Sequence, residues 1–500
     1  MAKIKILQVG EEDWNELYTL PENVELDHVS SLGEPLEKAY DMFFLDRELT
    51  DQEIEVLYWA AKAYTVFVTD KVKVQGQTEW LCRSRKAQRI AEPDIQRFLT
   101  EESRYYFARP YGEKFNLKDV AVAQGFRGKM KWNGNYSVEL EADFGEAFRQ
   151  VAYWRYNNPM PKGQMADFWV EYDKEPSVQI IFEFTLFASG TASVILEQHE
   201  LREADLDQII HMESIKGDGT LFVSVRARGQ GKLRLIALHK RISRGSHGYF
   251  LPGGERYVSS RGEEAFCYFE PADLEPPLSV YFSGYKTLQG FEGYYMMKGL
   301  GCPFLLLSEP RLEGGGFYMG SDEYERLFVD AIRKHMDELG FTSDQVILSG
   351  LSMGTSGALY YGCDIRPHAV IVGKPLASIG NVAANEKHLR PGGFPTSLDV
   401  LKFQCGGLDQ ESVEKLNDKF WKKFGAADWG KSKFAVAYMI EDDYDSDAYA
   451  TMLSYLESDG VQAYGKGLHG RHNDNTSGII NWFLSQYKKT LREDFGRRTG

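Results

Sequence analysis

Short apolar runs separated by polar turns fill the first part of the chain, residues 1–115. The runs at 4–9, 42–45 and 65–68 are rich in β-branched and aromatic residues and predict strands. Residues 50–53 form a capping-box sequence, and apolar side chains recur after it at helical spacing. This order predicts a small α/β unit. It contains no phosphate-binding glycine loop, so we assign it no chemistry.

The pattern changes between residues 116 and 265, where short apolar runs are separated by glycine, aspartate and proline. The runs at 178–187, 193–196, 221–225 and 232–238 predict strands, and several short strands at this spacing predict a β-sandwich. The region also carries many aromatic residues. Their flat faces can stack on sugar rings, although burial in a core is the commoner role, and both alternatives stay open. These residues are Trp132, Tyr136, Tyr153, Trp154, Tyr156 and Trp169.

Strands and helices alternate between residues 266 and 500. Apolar runs at 278–282, 304–307, 346–348, 369–372, 434–440 and 461–464 predict strands. An apolar helical face over 324–339 ends at Gly340, a typical C-cap residue. Such alternation is typical of a parallel sheet covered by helices. The predicted fold class is therefore α/β, with three domains at 1–115, 116–265 and 266–500.

Charge and composition exclude several classes of protein. The formal net charge of −15 argues against binding to nucleic acid or to anionic membranes, which need a basic face. The five cysteines are far apart and contain no C-x-x-C pair, which fits a reducing compartment better than a disulfide framework or a zinc cluster. The first residues do not resemble a signal peptide, and no apolar stretch approaches the roughly 20 residues of a membrane span. We expect a cytoplasmic protein.

The most informative motif is a G-x-S-x-G sequence in which Gly350 and Gly354 flank Ser352. An apolar run precedes the motif, and small residues that can open a helix follow it. Where a strand turns sharply into a helix, the intervening serine has a strained backbone and an accessible hydroxyl, and a Cβ on either glycine would clash. This context predicts a nucleophile elbow with Ser352 as the nucleophile.

A serine nucleophile needs a base and an acid that orients the base, and both follow later strands in the α/β-hydrolase order. The run at 434–440 leads into an acidic cluster, where Glu441 and Asp442 are the candidate acids. The run at 461–464 leads into a loop with His469 and His472. Position favours His472 as the base, because it lies further into the loop and can reach the nucleophile, whereas His469 can fix the loop.

Weaker signals surround the predicted site. The backbone N–H groups of Met353 and Gly284 are candidate oxyanion-hole donors, although Gly284 can equally be a plain turn glycine. Asp445 and Asp447 are interpreted as caps of the following helix. The glycines at 314–316 lack the rest of a P-loop and are interpreted as a flexible loop beside the site. The histidines have no metal-binding spacing, so neither a catalytic metal nor a bound cofactor is expected.

The layout resembles the second accessory secretory protein family of the accessory Sec system, which exports serine-rich repeat glycoprotein adhesins. The motifs that carry the resemblance are Gly-Leu-Ser-Met-Gly-Thr-Ser-Gly at 350–357 and Gly-Leu-His-Gly-Arg-His at 467–472. The resemblance implies an α/β-hydrolase domain preceded by a sandwich similar to carbohydrate-binding modules. It matches Ser352 to the family nucleophile and His472 to the family base. The family acid, often Glu, falls on the Glu441–Asp442 pair, with Asp442 the closer match.

The resemblance also implies a function. Family members act with two other accessory secretory proteins and a dedicated motor ATPase, and they are implicated in export and in O-acetylation of N-acetylglucosamine on the adhesin. We therefore expect a serine O-acetyltransferase with acetyl-CoA as acyl donor, acting at the inner face of the membrane with at most peripheral association. Two alternatives stay open. One is an esterase or deacetylase of glycans, in which water is the acceptor. The other is a non-catalytic export scaffold.

Overall fold

The computed structural model describes residues 3–33, 36, 38–107, 112–115, 117–155, 158–457 and 461–498. Within these residues the strands form three sheets that follow one another along the chain. Tyr156, one of the aromatic residues singled out in the second region, lies outside the described residues. No helix in the described ranges is both long and apolar enough to cross a membrane.

The first sheet consists of β1 (Ile4–Val9), β2 (Val24–Val29), β3 (Met42–Leu45), β4 (Val66–Val68) and β5 (Gln88–Arg89). All five strands are parallel, in the order β2-β1-β3-β4-β5. The helices here are α1 (Trp14–Leu17), α2 (Asp51–Ala60), α3 (Gly76–Ser84) and α4 (Ile95–Arg97). The predicted capping box starts α2, since the Glu53 N–H donates to Thr50 Oγ1 at 3.3 Å and the Thr50 N–H donates to the Glu53 carboxylate at 2.9 Å. The predicted strand–helix–strand order is thus observed, and the sequence missed β2 and β5.

The second sheet has ten strands, and one short α-helix, α5 (Glu203–Leu206), lies between two of them in the chain. The strands are β6 (Gly112–Phe115), β7 (Val120–Val122), β8 (Lys129–Asn133), β9 (Ser137–Trp154), β10 (Asn158–Met160), β11 (Met165–Lys174), β12 (Val178–Ala188), β13 (Ile195–Arg202), β14 (Ile210–Glu213) and β15 (Gly219–Ile242). β15 pairs antiparallel with β6, β9, β10, β11 and β12. The ten strands therefore belong to one connected sheet, and the two separate sheets of a sandwich are not confirmed.

Two predicted strands of this region are one strand in the structure. The runs at 221–225 and 232–238 both lie in β15, which continues through Gly229 and Gly231. These glycines have φ angles of 91° and 139°, and the register between β9 and β15 shifts around Gly229. Glycine permits such a bulge, so the chain bends without leaving the sheet. A polar, glycine-rich interruption was therefore a bulge and not a turn.

The aromatic residues singled out in the second region differ in exposure. Trp154 and Trp169 are buried, and Tyr136 packs edge-on against Phe403 of the third region. Trp132 is 42% exposed, the largest exposed fraction among the described residues of this set. Core packing thus accounts for the two buried tryptophans, and stacking on a sugar stays a prediction for Trp132.

The third sheet consists of β16 (Glu255–Val258), β17 (Glu264–Glu270), β18 (Leu278–Phe282), β19 (Phe304–Ser308), β20 (Val346–Leu351), β21 (Ala369–Gly373), β22 (Lys433–Met439) and β23 (Gln462–Leu468). The order is β16-β17-β19-β18-β20-β21-β22-β23. Strands β18 to β23 are parallel to one another, whereas β17 pairs antiparallel with both β19 and β16. The chain moves outward from β18 to β19 and returns on the other side at β20. Such a switch point is where parallel sheets place ligand sites, beyond the carboxyl ends of the strands.

Helices cover both faces of the third sheet. They are α6 (Tyr294–Lys298), α7 (Asp322–Leu339), α8 (Met353–Ile365), α9 (Ile379–His388), α10 (Thr396–Cys405), α11 (Gln410–Ala426), α12 (Ala448–Tyr455) and α13 (Thr476–Phe495). Alternation along β20 places Val346 and Leu348 in one buried cluster and Ile347 in the other. Residues of α7, α8 and α11 pack in the first cluster, and Phe483 and Tyr487 of α13 pack in the second. The central strand that leads to Ser352 is therefore held from both sides.

Candidate active site

Ser352 occupies a strained turn between β20 and α8. Its φ is 50° and its ψ is −121°, a conformation that a residue with a Cβ rarely adopts. The flanking glycines are sterically required. A Cβ on Gly350 would lie 2.4 Å from the carbonyl carbon of Gly354, and one on Gly354 would lie 2.1 Å from the Phe282 carbonyl oxygen. The strand–turn–helix context predicted from the G-x-S-x-G motif is thus observed.

Ser352, His472 and Asp442 form a continuous hydrogen-bonded chain. Ser352 Oγ lies 2.8 Å from His472 Nε2, and His472 Nδ1 lies 2.9 Å from Asp442 Oδ2. Both His472 and Asp442 are buried. A carboxylate beside Nδ1 favours the tautomer with its proton there, which leaves Nε2 to accept the serine proton.

Asp442 is held in its charged form. Burial alone would raise the pKa of this carboxyl, but the hydrogen bond and the electrostatic attraction between the carboxylate and the His472 ring lower it. The N–H groups of Tyr444 and Asp445 also donate to Asp442 Oδ1, at 2.8 and 3.2 Å. The net result is a pKa below the ordinary value for aspartate. An ionised carboxylate can therefore orient the imidazole.

The His472 ring is also fixed by contacts that the sequence did not reveal. It stacks on Tyr444 with ring centroids 4.2 Å apart and an interplanar angle of 7°. The Arg390 guanidinium lies 3.7 Å from the centroid of the same tyrosine ring. The backbone N–H of His472 donates to Asp443 Oδ1 at 3.0 Å. Tyr444 lies within the acidic run noted in the sequence, whereas Arg390, which follows a distant helix, gave no sequence signal.

Glu441 and His469 form a separate pair at the surface. His469 Nδ1 lies 2.9 Å from Glu441 Oε1, and the Gly470 N–H donates to the other carboxylate oxygen at 2.7 Å. The His469 side chain is 85% exposed. Of the two candidate acids and two candidate bases, the structure therefore brings Asp442 and His472 to Ser352, and it places Glu441 and His469 together elsewhere on the loops.

The two candidate oxyanion donors differ in the structure. Met353 is the first residue of α8, where backbone N–H groups have no partner within the helix. The Gly284 N–H, in contrast, donates to the Glu292 carboxylate at 2.6 Å. Gly284 does lie close to the elbow, because a Cβ there would lie 3.3 Å from the Leu351 carbonyl oxygen. Its N–H is engaged by a carboxylate, which the sequence did not indicate.

The glycines at 314–316 lie beside this site. A Cβ on Gly315 would lie 2.6 Å from the Met353 sulfur, and one on Gly314 would lie 2.3 Å from the Tyr285 ring. Both glycines have positive φ angles, 129° for Gly315 and 91° for Gly314, which residues with a Cβ rarely adopt. The positive φ angles explain both glycines, with close packing on Met353 at Gly315 and on Tyr285 at Gly314.

Asp445 does not cap the following helix as predicted. Its Oδ2 accepts the N–H groups of Ala377 and Ser378, at 2.8 and 2.7 Å, and so fixes the loop after β21. Asp447 occupies the N-cap position of α12 without a side-chain capping bond. Burial raises the pKa of Asp445 to about 6, although the two backbone donors lower it in part. Long-range pairing, which sequence spacing cannot reveal, decided the role of Asp445.

We expect Asp445→Asn to stabilise the protein at neutral pH more than at acid pH. A carboxyl whose pKa is raised in the folded state favours folding only while it is protonated. The free energy of unfolding therefore falls as the pH rises from the ordinary pKa of 3.8 through about 6. Asparagine can accept the same backbone bonds without ionising. Thermal unfolding should show a gain of up to about 3 kcal/mol at neutral pH that vanishes near pH ~4. Asp447→Asn, at an exposed position, is the control. An equal gain at both pH values would contradict the burial of a titrating carboxyl.

The fold and the site together define a mixed α/β protein with a hydrogen-bonded serine, histidine and aspartate beyond the carboxyl ends of its parallel strands. The family model described as "Accessory Sec system GspB-transporter" matches residues 4–497. The chain belongs to this accessory Sec system family, which confirms the resemblance seen in the sequence.

Relatives match over their full length. The chain is 36% identical to an accessory Sec system protein of the same family from Streptococcus gordonii, covering 99% of both chains. It is 35% identical to the corresponding accessory Sec system protein of Staphylococcus aureus, covering 99% of this chain and 98% of the relative. Among solved structures, a chain of the Glycosylation Associate Protein (Gap123) complex from Streptococcus agalactiae is similar, with 38% identity, a TM-score of 0.88 and 99% of both chains covered.

Proposed function

We propose that this chain is a serine-dependent O-acetyltransferase that acetylates N-acetylglucosamine on a serine-rich repeat glycoprotein and takes part in its export. The observation that carries the proposal is the hydrogen-bonded chain from Ser352 through His472 to Asp442, built on a strained elbow. Membership of the accessory Sec system family supports the export role. We interpret the third sheet with its helices, from β16 (Glu255–Val258) onward, as an α/β-hydrolase domain that begins before the boundary at residue 266 expected from the sequence, and the regions of the first and second sheets as the two domains before it.

In the first half-reaction, Ser352 Oγ attacks the thioester carbonyl carbon of acetyl-CoA, which we propose as the acyl donor. His472 Nε2 takes the serine proton, and Asp442 stabilises the resulting imidazolium. The tetrahedral intermediate then breaks its carbon–sulfur bond. Coenzyme A leaves as a thiol after it receives the proton from His472, and an acetyl ester remains on Ser352. The Met353 N–H, at the start of α8, is the donor proposed for the oxyanion.

In the second half-reaction, a hydroxyl of N-acetylglucosamine attacks the acetyl ester on Ser352. His472 Nε2 takes the hydroxyl proton and returns it to Ser352 Oγ as the ester bond breaks. The acetyl group is now on the sugar and the serine is regenerated. Use of water in place of the sugar would make the same three residues an esterase. Transfer therefore depends on how well the acceptor excludes water from Ser352.

Labelled acetyl-CoA separates transferase from esterase. The purified protein is incubated with the donor, with and without the glycoprotein, and label is measured on the glycoprotein and as free acetate. If the protein is a transferase, label appears on the glycoprotein, and little free acetate is released when the glycoprotein is left out. Equal acetate release with and without glycoprotein, and no label on the sugar, would indicate an esterase.

Replacement of the acid should be milder than replacement of the base. We expect Asp442→Ala to lower acetyl transfer by about 10²- to 10³-fold, because the stack on Tyr444 still holds the His472 ring and the Asp443 carboxylate still holds the His472 backbone N–H. Glu441→Ala is the matched control and should change the rate by less than about 3-fold, since this carboxylate contacts His469 at the surface. The reverse ranking would make Glu441 the acid.

Export and acetylation should be separable. We expect cells with Ser352→Ala to secrete the adhesin at a near-normal level but without its acetyl groups, because loss of one half-buried hydroxyl leaves the outer surfaces unchanged. Deletion of residues 1–115 should instead stop secretion by removing surface available to partners. The two measurements are secreted adhesin and its acetyl content. If secretion collapses in Ser352→Ala while the partner complex assembles, the two roles are coupled.

We propose the other two accessory secretory proteins, the motor ATPase and the glycoprotein as partners. The full-length similarity to a chain of the Gap123 complex supports a role in a complex of this kind. The expected location is cytoplasmic, at the inner face of the membrane. An export scaffold without catalysis is the second candidate function. Survival of export in Ser352→Ala is compatible with the acetyltransferase and with the scaffold. Loss of acetyl groups in this variant is expected only if the protein is an enzyme.

A further inference from the structure

Three potential metal ligands meet where the antiparallel edge of the third sheet packs against α7. Glu255 of β16 and Cys267 of β17 are direct cross-strand partners, and His335 of α7 lies over them. One donor atom from each of the three side chains lies within 4.8 Å of the others. None of the three belongs to the site around Ser352.

His335, one of the three residues, has a buried ring nitrogen without a hydrogen-bond partner in the part of the chain that the structure describes. The residue is 1% exposed, and its Nε2 has no hydrogen-bond partner among the described residues. Its Nδ1 lies 3.3 Å from the Glu338 carboxylate, and its ring stacks on Phe269 with centroids 4.2 Å apart. A carboxylate on one ring nitrogen and a bare second nitrogen is the arrangement by which proteins orient a metal-binding histidine.

The other polar groups around the three ligands are compatible with a cation. The Tyr257 hydroxyl contacts Glu255 and lies 3.8 Å from the Cys267 sulfur. The Lys334 ammonium bonds both Glu255 oxygens, at 2.7 and 2.6 Å, and its side chain is 51% exposed. A cation therefore already neutralises Glu255 in this structure, and the half-exposed lysine can yield that position to a metal by moving into water.

We propose that Glu255, Cys267 and His335 bind a structural Zn²⁺ ion. A thiolate, an imidazole and a carboxylate are ligands that zinc accepts together, with the tyrosine hydroxyl or water able to complete a tetrahedron. Ligand atoms in such a site lie about 3–4 Å apart, so side-chain shifts on the order of 1 Å suffice. The thiol proton of Cys267 is released to solvent as the sulfur coordinates. The ligands are far apart in sequence, and for that reason no spacing motif revealed them.

In a second group of potential metal ligands, the polar atoms of the histidine already have hydrogen-bond partners. Glu171, His239 and Glu264 also lie within 4.8 Å of one another. There, however, Arg241 makes two bonds to Glu264, and both ring nitrogens of His239 are engaged, with Glu171 and Gln289. No donor atom of that imidazole is left for a metal. The contrast singles out the group around His335.

The proposed ion would join two regions of the chain. Glu338, the carboxylate on His335, also pairs with Lys86, which follows α3 of the first region. The Lys86 ammonium lies 5.4 Å from the centroid of the Phe269 ring that supports His335. Zinc at His335 would therefore fix the edge of the third sheet and its contact with the first region.

The test measures zinc bound to the full-length protein. Chelator-treated protein is equilibrated with Zn²⁺, and metal per chain is measured after gel filtration. We expect one ion per chain, and an affinity lowered at least about 10-fold by either Cys267→Ser or His335→Gln. Cys302→Ser is the matched control, because Cys302 is equally buried but its sulfur is hydrogen-bonded to the Ser279 hydroxyl and lies outside the proposed site. With Co²⁺ as probe, a thiolate charge-transfer band should be lost in Cys267→Ser and kept in Cys302→Ser.

A surface variant keeps the test decisive if the core variants do not fold. Lys334→Met removes the cation that competes for Glu255 and leaves the buried ligands intact, so we expect it to bind Zn²⁺ more tightly than the unchanged protein. The proposal is overturned if the unchanged protein binds no stoichiometric zinc, or if its zinc affinity is the same in Cys267→Ser, His335→Gln and Lys334→Met.

Discussion

Ser352→Ala is expected to lower acetyl transfer to the glycoprotein by at least about 10³-fold, because the change removes the attacking oxygen and leaves His472 and Asp442 in place. The substituted side chain is smaller by one hydroxyl, so the elbow should keep its shape. Transfer is measured as label from acetyl-CoA on the glycoprotein, and folding by thermal unfolding.

Ser356→Ala is the matched control for this variant. Ser356 lies four residues further along, in the first turns of α8, and its hydroxyl donates to the Leu376 carbonyl oxygen rather than to a base. Loss of a structural hydrogen bond should cost about 1 kcal/mol of stability and little activity. Near-normal transfer by Ser352→Ala would remove Ser352 from the mechanism, and equal losses in both variants would indicate a packing defect.

The defect of His472→Ala should equal that of Ser352→Ala, because the nucleophile and its base act as one unit. The imidazole touches both Ser352 and Asp442, and alanine leaves the serine proton without an acceptor. The measurement is again the rate of acetyl transfer, made on the single variants and on the double variant Ser352→Ala/His472→Ala. The double variant is expected to be no slower than either single one.

His469→Ala is the control for the loop. Its side chain is 85% exposed and contacts Glu441, so its loss should change the rate by less than about 3-fold. If His469→Ala is the inactive variant and His472→Ala is active, the base assignment is reversed.

Local sequence patterns predicted much of the fold. Strands β18 to β23 of the third sheet, the capping box at Thr50 and the turn at Ser352 depend on neighbours within a few residues, and these features are observed, whereas β16 and β17 were not predicted. The strand β15 was divided in two by the prediction, because its internal glycines look like a turn until the partner strands β9 and β12 are known. Propensity is a local signal, and pairing between strands far apart in the chain is not encoded in it.

The candidate site shows the same division. The order of serine, acid and histidine along the chain follows from strand ends, and it predicted Ser352 and His472, with Asp442 as one of two candidate acids. Contacts with Arg390 and the engagement of the Gly284 N–H by Glu292 arise where separate loops meet, so no spacing revealed them. The choice between Glu441 and Asp442 also needed the three-dimensional contacts, since the two residues are adjacent in sequence and face different histidines.

The most direct measurement of the proposed mechanism is the mass of the acyl-enzyme. The full-length protein is mixed with acetyl-CoA without acceptor, and in parallel with an activated aryl acetate as a second donor, and then quenched in acid and digested. We expect one acetyl group on the peptide that contains Ser352, lost when glycoprotein is added before the quench and then found on its N-acetylglucosamine. Acetylated glycoprotein formed by an enzyme whose Ser352 peptide never carries acetyl, from either donor, would contradict the serine mechanism.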